Sequence, residues 1–206
     1  MLVEFLQRTP PLRRVIYKTS TFRARDLVRR IEGCLSTADA VLDIGSGTCN
    51  VCEILRAQGF DVVPVDVRNL SFVDSITPVL YDGKTLPFAD DRFDVGLLIT
   101  VLHHTPDPEA VVREAARVCW RLVIIEDIFK NRPHKYLTFF MDSLLNLEFA
   151  GHPHTNKSDA QWREAFDRLS LVVADAKYQQ SFGVFTHATY LLERLCEARM
   201  QNVVVH

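Results

Sequence analysis

The stretch that most constrains this chain runs from Val41 to Asp66. It reads Val41-Leu42-Asp43-Ile44-Gly45-Ser46-Gly47-Thr48-Cys49-Asn50, then a helical segment, then Asp61-Val62-Val63-Pro64-Val65-Asp66. A short apolar strand ends in an acid, two glycines let the backbone turn tightly and approach a ligand, and a second acid closes the next strand. An acid about twenty residues beyond the first can accept both hydroxyls of a ribose, so the pattern outlines a nucleoside-cofactor site. The alternative is an ordinary tight turn beside a strand. A dinucleotide fingerprint also needs a third glycine or alanine where the helix lies under the pyrophosphate, and Asn50 stands there instead. A nicotinamide or flavin cofactor is disfavoured on that ground.

The rest of the chain alternates strands and helices. Apolar runs predict strands at 40–44, 61–65, 77–81, 93–99 and 121–126, and helices near 22–35, 50–58, 108–119 and 158–169. Two last strands are expected near 171–178 and 184–192, although Tyr190 to Arg199 has an equally helical pattern. Runs such as Val95-Gly96-Leu97-Leu98-Ile99 and Leu122-Val123-Ile124-Ile125 suit strands covered on both faces. The expectation is an α/β fold: a doubly wound, mostly parallel seven-stranded sheet with helices on both faces and right-handed crossovers. The 206 residues, 48% of them hydrophobic, suffice for one domain with its own core. Within it, residues 1–38 form an N-terminal helical segment. A helical insertion or lid occupies about 130–168, rich in Tyr136, Phe139, Phe140, Leu144, Leu145 and Phe149.

Cysteine use and charge narrow the setting. Five cysteines, Cys34, Cys49, Cys52, Cys119 and Cys196, are an odd and scattered set, which suits a reducing compartment and a cytoplasmic address. No run approaches the eighteen or so apolar residues of a membrane span, and the first thirty residues lack the apolar core of a secretory signal. The net charge of −2 hides an uneven distribution. The first thirty residues carry Arg8, Arg13, Arg14, Lys18, Arg23, Arg25, Arg29 and Arg30 against Glu4 and Asp26. Such a segment could dock an anionic substrate, a nucleic acid or lipid headgroups, or act as an organelle presequence. The reading adopted is a solvated helix face, because Phe22, Leu27, Ile31 and Leu35 recur at a spacing that buries one side.

The chain resembles the class I S-adenosylmethionine-dependent methyltransferases, in the branch that acts on small molecules. Asp43, Gly45 and Gly47 match the acid and first two glycines of the family's first motif, with Cys49 in the third glycine's place. The run Asp82-Gly83-Lys84-Thr85-Leu86-Pro87-Phe88-Ala89-Asp90-Asp91-Arg92-Phe93-Asp94 looks like that branch's "D-G-x-x-L-P-F-x-D-x-x-F-D". Leu102-His103-His104-Thr105-Pro106-Asp107-Pro108 and Glu114-Ala115-Ala116-Arg117-Val118 are similar to its fourth-strand exit and following helix. The resemblance implies S-adenosyl-L-methionine as cofactor and a small-molecule methyl acceptor. It also implies roles for single residues: Asp43 near the methionyl amino group, Gly45 and Gly47 beside the cofactor, Asp66 on the ribose hydroxyls and Val67 on adenine. Asp82 would accept the adenine amine, Gly83 would give room, and Thr100 would lie below the sulfonium.

Methyl transfer needs alignment and exclusion of water, with a base only where the acceptor must lose a proton. The candidate bases are His104, His103 and His152, in that order of expectation for His104 over His152. No metal is expected, because the histidines with Glu126 and Asp127 lack metal-ligand spacing. Cys49-Asn50-Val51-Cys52 at a helix start keeps a redox role open, and the same fold could serve as a non-methylating cofactor-binding protein or scaffold. Nucleic acid is an unlikely partner: the fourth strand exits through Thr100-Val101-Leu102, not through an Asn/Asp-Pro-Pro-aromatic element.

Overall fold

A computed structural model describes residues 2–129, 155–181 and 185–195. Seven strands form one sheet: β1 (Ala40–Ile44), β2 (Asp61–Asp66), β3 (Val79–Leu80), β4 (Phe93–Ile99), β5 (Cys119–Ile128), β6 (Leu171–Ser181) and β7 (Phe185–Arg194). Their order is β3-β2-β1-β4-β5-β7-β6, parallel through β5, with β7 antiparallel to both β5 and β6. The helices are α1 (Leu2–Arg8), α2 (Pro10–Ile31), α3 (Asn50–Ala57), α4 (Pro108–Val118) and α5 (Asp159–Arg168). Of the segment expected as an insertion or lid near 130–168, residues 130–154, including His152, lie outside the described residues, and α5 packs on the sheet.

Alternation along the strands divides the core between two faces. Leu42, Ile44, Leu122 and Ile124 pack with Val112 and Ala115 of α4 and with Trp162 and Phe166 of α5. Val41, Val95, Leu97, Val123 and Ile125 pack with Leu27, Val28 and Ile31 of α2 and with Cys52 and Leu55 of α3. Local signals fix the helix starts. Asp107 accepts from the Ala110 amide ahead of Pro108, and Ser158 forms a capping box with Gln161.

Several boundaries differ from the sequence expectation for physical reasons. β3 shrinks to two residues because Pro78 can donate no ladder hydrogen bond. β5 and β7 run further than expected because each pairs with the other, from Arg121 opposite Glu193 to Ile128 opposite Thr186, which also keeps Tyr190 to Arg194 a strand. The N-terminal helix starts at Pro10, not near 22, since proline in a first turn forfeits no hydrogen bond. Phe22 is the one clear reversal. It is 75% exposed, while Leu27, Val28 and Ile31 line the buried side.

Gly96 in β4 lies tight against side chains of the neighbouring strand β5. A Cβ there would stand 2.8 Å from Cys119 Sγ and 2.9 Å from Leu122 Cδ2. Gly96→Ala is therefore expected to cost about 1–3 kcal/mol by overpacking, read as a lowered Tm with nucleoside binding retained.

Candidate functional site

The order of strands reverses between β1 and β4, and there a cavity of about 970 Å³ opens at their carboxyl ends. Its floor is the loop after β1. Gly45 has φ +74°, and a Cβ on it would lie 2.3 Å from Val101 Cγ2, so both backbone and space demand glycine. The Gly45 and Ser46 amides donate to the Val65 carbonyl at 2.8 and 3.2 Å, which ties the loop to the end of β2. Gly47 and Cys49 also have positive φ, 50° and 61°. Cys49 thus adopts the left-handed backbone a glycine would take at the third position of the motif. Its fully buried side chain packs in the core with Cys52 and does not line the cavity.

Two acids stand at the ends of β1 and β2. Asp66 is 6% exposed, and its Oδ2 accepts from the Gly47 amide at 2.9 Å while Oδ1 accepts from the Arg68 backbone amide at 3.2 Å. Each carboxylate oxygen can take a second donor, so Asp66 braces the loop and still has acceptor capacity toward the cavity it lines. Asp43 lies deeper, 3% exposed, with the Cys52 thiol donating to its Oδ2 at 3.1 Å. Burial, helped by the Asp66 charge, pushes the Asp43 carboxyl from 3.8 up to about 6, against the thiol's lowering effect.

The raised carboxyl gives a signed expectation. The folded protein keeps a proton on Asp43 that the unfolded chain has already released, so stability falls as pH rises between about 4 and about 6. Asp43→Asn should remove that slope and raise Tm at neutral pH, as followed by thermal denaturation across pH.

Val67, Gly83 and Thr100 line the same cavity, with Tyr81 and Lys84 beside them. Asp82 does not. Its Oδ1 accepts from the Lys84 and Thr85 amides, both at 2.8 Å, and these bonds hold its carboxyl below the usual range. Asp82 therefore builds the turn that presents Gly83 and stands just outside the cavity lining. Thr100 has φ +52°, its amide donates to Ile125 at 2.7 Å, and its hydroxyl accepts from Arg23 at 3.3 Å. Helix α2 contributes Ser20, Arg23, Ala24 and Leu27 to the wall, a contribution the motifs did not announce.

The histidines part company. His104 lines the cavity, its ring tilted 44° against His103 with centroids 4.0 Å apart. His103 is 3% exposed, and its Nδ1 is 2.6 Å from Oε2 of Glu126, itself wholly buried. The other Glu126 oxygen accepts from the Leu102 amide at 2.7 Å. Both carboxylate oxygens are thus engaged in fixing the turn after β4 and the His103 ring, which does not line the cavity. On the opposite face of β5, Asp127 sits across from His187 of β7, with Oδ1 2.9 Å from the ring Nδ1. Burial pushes the Asp127 carboxyl up, but the His187 ring outweighs it and holds it below the usual range. The cross-strand pairing of a residue after 180 with one before 130 leaves no spacing in the sequence, and this pair was missed.

The redox reading of Cys49 and Cys52 fails on burial. Both are fully buried, and burial raises each thiol, with the Asp43 carboxylate adding to the rise at Cys52, whereas a reactive cysteine needs an exposed, lowered one.

A 3-2-1-4-5-7-6 sheet with its glycine loop and paired acids at the switch point is the Rossmann-like fold that this chain shares with methyltransferases. The methyltransferase domain family (Methyltransf_11) matches residues 42–121, the stretch from β1 into β5 that carries the glycine loop and both acids. Among curated relatives, a flavin-dependent thymidylate synthase of Geobacter sulfurreducens is 41% identical over 49 residues, covering 24% of this chain and 21% of that protein. The methyltransferase GfsG of Streptomyces halstedii is 29% identical over 133 residues, 56% of this chain and 48% of that one. A ubiquinone biosynthesis O-methyltransferase of Pectobacterium atrosepticum is 27% identical over 114 residues, 50% and 46% of the two chains. The chain thus spans about half the length of the latter two relatives and about a fifth of the first. A SAM-dependent methyltransferase of Methanosarcina mazei shares the fold with a TM-score of 0.61 at 16% identity, covering 80% of this chain and 96% of that one. So does the [4+2]-cyclase SpnF, with a TM-score of 0.62 at 12% identity over 86% and 81% of the chains.

Proposed function

We propose that this protein transfers the methyl group of S-adenosyl-L-methionine to a small-molecule acceptor by in-line displacement. The observation that carries the reading is the convergence of Asp66, the Gly45 to Gly47 loop, Val67 and Thr100 on one cavity whose 970 Å³ lies in the range of small-molecule sites. Bound there, the cofactor supplies an already activated methyl carbon. The protein's residues orient and enclose it. Asp66 accepts the ribose hydroxyls, Val67 packs on the base, Gly83 leaves space for it, and Asp43 at the rear favours the methionyl ammonium. Thr100, anchored by Arg23 and by the Ile125 carbonyl, marks the exit of β4 where the acceptor meets the methyl group.

Where the acceptor must lose a proton, His104 is the residue placed to receive it, being the described histidine that lines the cavity. His152 remains an expectation from the sequence. The O-methyltransferase among the relatives supports a small-molecule acceptor. The cyclase of the same fold favours a second reading, a non-methylating cofactor-binding protein, although Cys49, which kept that reading open, points into the core and away from the ligand space. Incubation with S-adenosylmethionine and a metabolite extract separates the two. The methyltransferase reading expects a product heavier by one methylene, with S-adenosylhomocysteine released. Cofactor binding without turnover of any component would favour the second.

A further inference from the structure

We propose that α2 docks this protein onto an anionic lipid surface, lying flat in the headgroup layer with its outward face. The helix is two-sided. Ala24, Leu27, Val28 and Ile31, spaced three and four apart, bury one side against the sheet. The other side bears Arg14, Lys18, Phe22, Arg25 and Arg29, again three and four apart and all exposed. Apolar side chains accompany these cations. Phe22 is 75% exposed, Val15 60% and Leu12 39%, and Phe5 of α1 is 59% exposed.

A purely solvated face would carry charge without large apolar groups, whereas Phe22, expected inside from its spacing with Leu27 and Ile31, stands on it. Its outward position among arginines is what a water-facing helix has no use for and a headgroup-facing helix needs: cations for lipid phosphates, and an aromatic and aliphatic side chain for the acyl boundary. The acid on this face, Asp26, is paired with Arg30 one turn on and subtracts little from the attraction. Among the described residues no helix is long and apolar enough to cross a membrane, so the contact is that of a surface helix. A nucleic acid would complement the charge but leave Phe22 and Val15 unexplained. Because the inner side of α2 walls the cavity, docking sets that wall about one helix diameter, roughly 10 Å, from the lipid.

Vesicle flotation of the unliganded full chain tests this directly. With vesicles of phosphatidylcholine and phosphatidylglycerol in equal parts the protein should float at low salt. It should stay behind with phosphatidylcholine alone, or when salt is raised to screen the charges. Phe22→Asp, and separately Arg14→Glu with Lys18→Glu and Arg25→Glu, should each cut partitioning by roughly tenfold or more with Tm unchanged. The proposal is overturned if the wild-type protein fails to float on anionic vesicles or floats equally on neutral ones. It is also overturned if Phe22→Asp floats like wild type, or if duplex DNA is bound instead with Phe22→Asp indifferent. Adenosylhomocysteine affinity, measured separately, reports on the cofactor site and does not enter this outcome.

Discussion

Replacing Asp66 with Ala is expected to weaken S-adenosylmethionine binding by at least about tenfold in titration calorimetry. Two effects combine. The ribose loses its charge-assisted hydrogen bonds, and the Gly47 amide loses the carboxylate that fixes the loop at 2.9 Å. Asp66→Asn separates them, because the amide keeps one oxygen for the Gly47 N–H while surrendering charge and one acceptor. It should fall between wild type and Asp66→Ala. Equal affinity in all three proteins would remove the ribose from Asp66.

Glu126→Ala should give the largest loss of stability. It leaves the His103 ring, 3% exposed, and the Leu102 amide without their carboxylate in a place water does not reach. Leaving two buried donors without their acceptor typically costs about 1–3 kcal/mol for each. For a chain of this size that is on the order of a 10 °C drop in Tm. Glu126→Gln, which retains an acceptor for the Leu102 amide, should recover a good part of it. A drop no greater than that of an ordinary surface substitution would show that His103 and Glu126 do not hold the turn after β4. Turnover by His103→Asn, provided the variant folds, is expected to stay near wild type, since the residue that lines the cavity is His104.

How far the fold could be read from the sequence depended on whether each signal was local. β1 and β4 occupy 40–44 and 93–99 as expected, because apolar runs bounded by turn residues report strands buried on both faces without reference to anything distant. The start of α3 at Asn50 follows from the glycine loop in the same way. β5, β6 and β7 were legible as strands but not in extent, since their ends are set by antiparallel partners from the far end of the chain. In α2, periodicity identified Leu27 and Ile31 correctly and Phe22 wrongly, because an apolar side chain at the right spacing does not disclose whether a sheet or a different surface receives it.

The site divides along similar lines. The convergence of Asp43, Gly45, Gly47, Asp66, Val67, Gly83 and Thr100 on one cavity was legible, because a strand, a turn and a helix in succession carry them there. Asp82 belonged to a recognisable run, and its Oδ1 caps its own turn, a local contact between side chain and backbone. The buried contact of His103 could not be read from the sequence, because its partner lies 23 residues away on the next strand. Arg23 was invisible as a site residue, since only packing of α2 over the loop brings it to Thr100.

The central claim, that the cavity at the β1 to β4 switch point holds an adenosine through Asp66, is tested most directly by a crystal structure with S-adenosylhomocysteine. The ribose hydroxyls are expected within about 3 Å of the two Asp66 carboxylate oxygens, with the sulfur at the Thr100 end of the cavity. A nucleoside bound elsewhere on the chain, or a cavity left empty at saturating ligand, would contradict it.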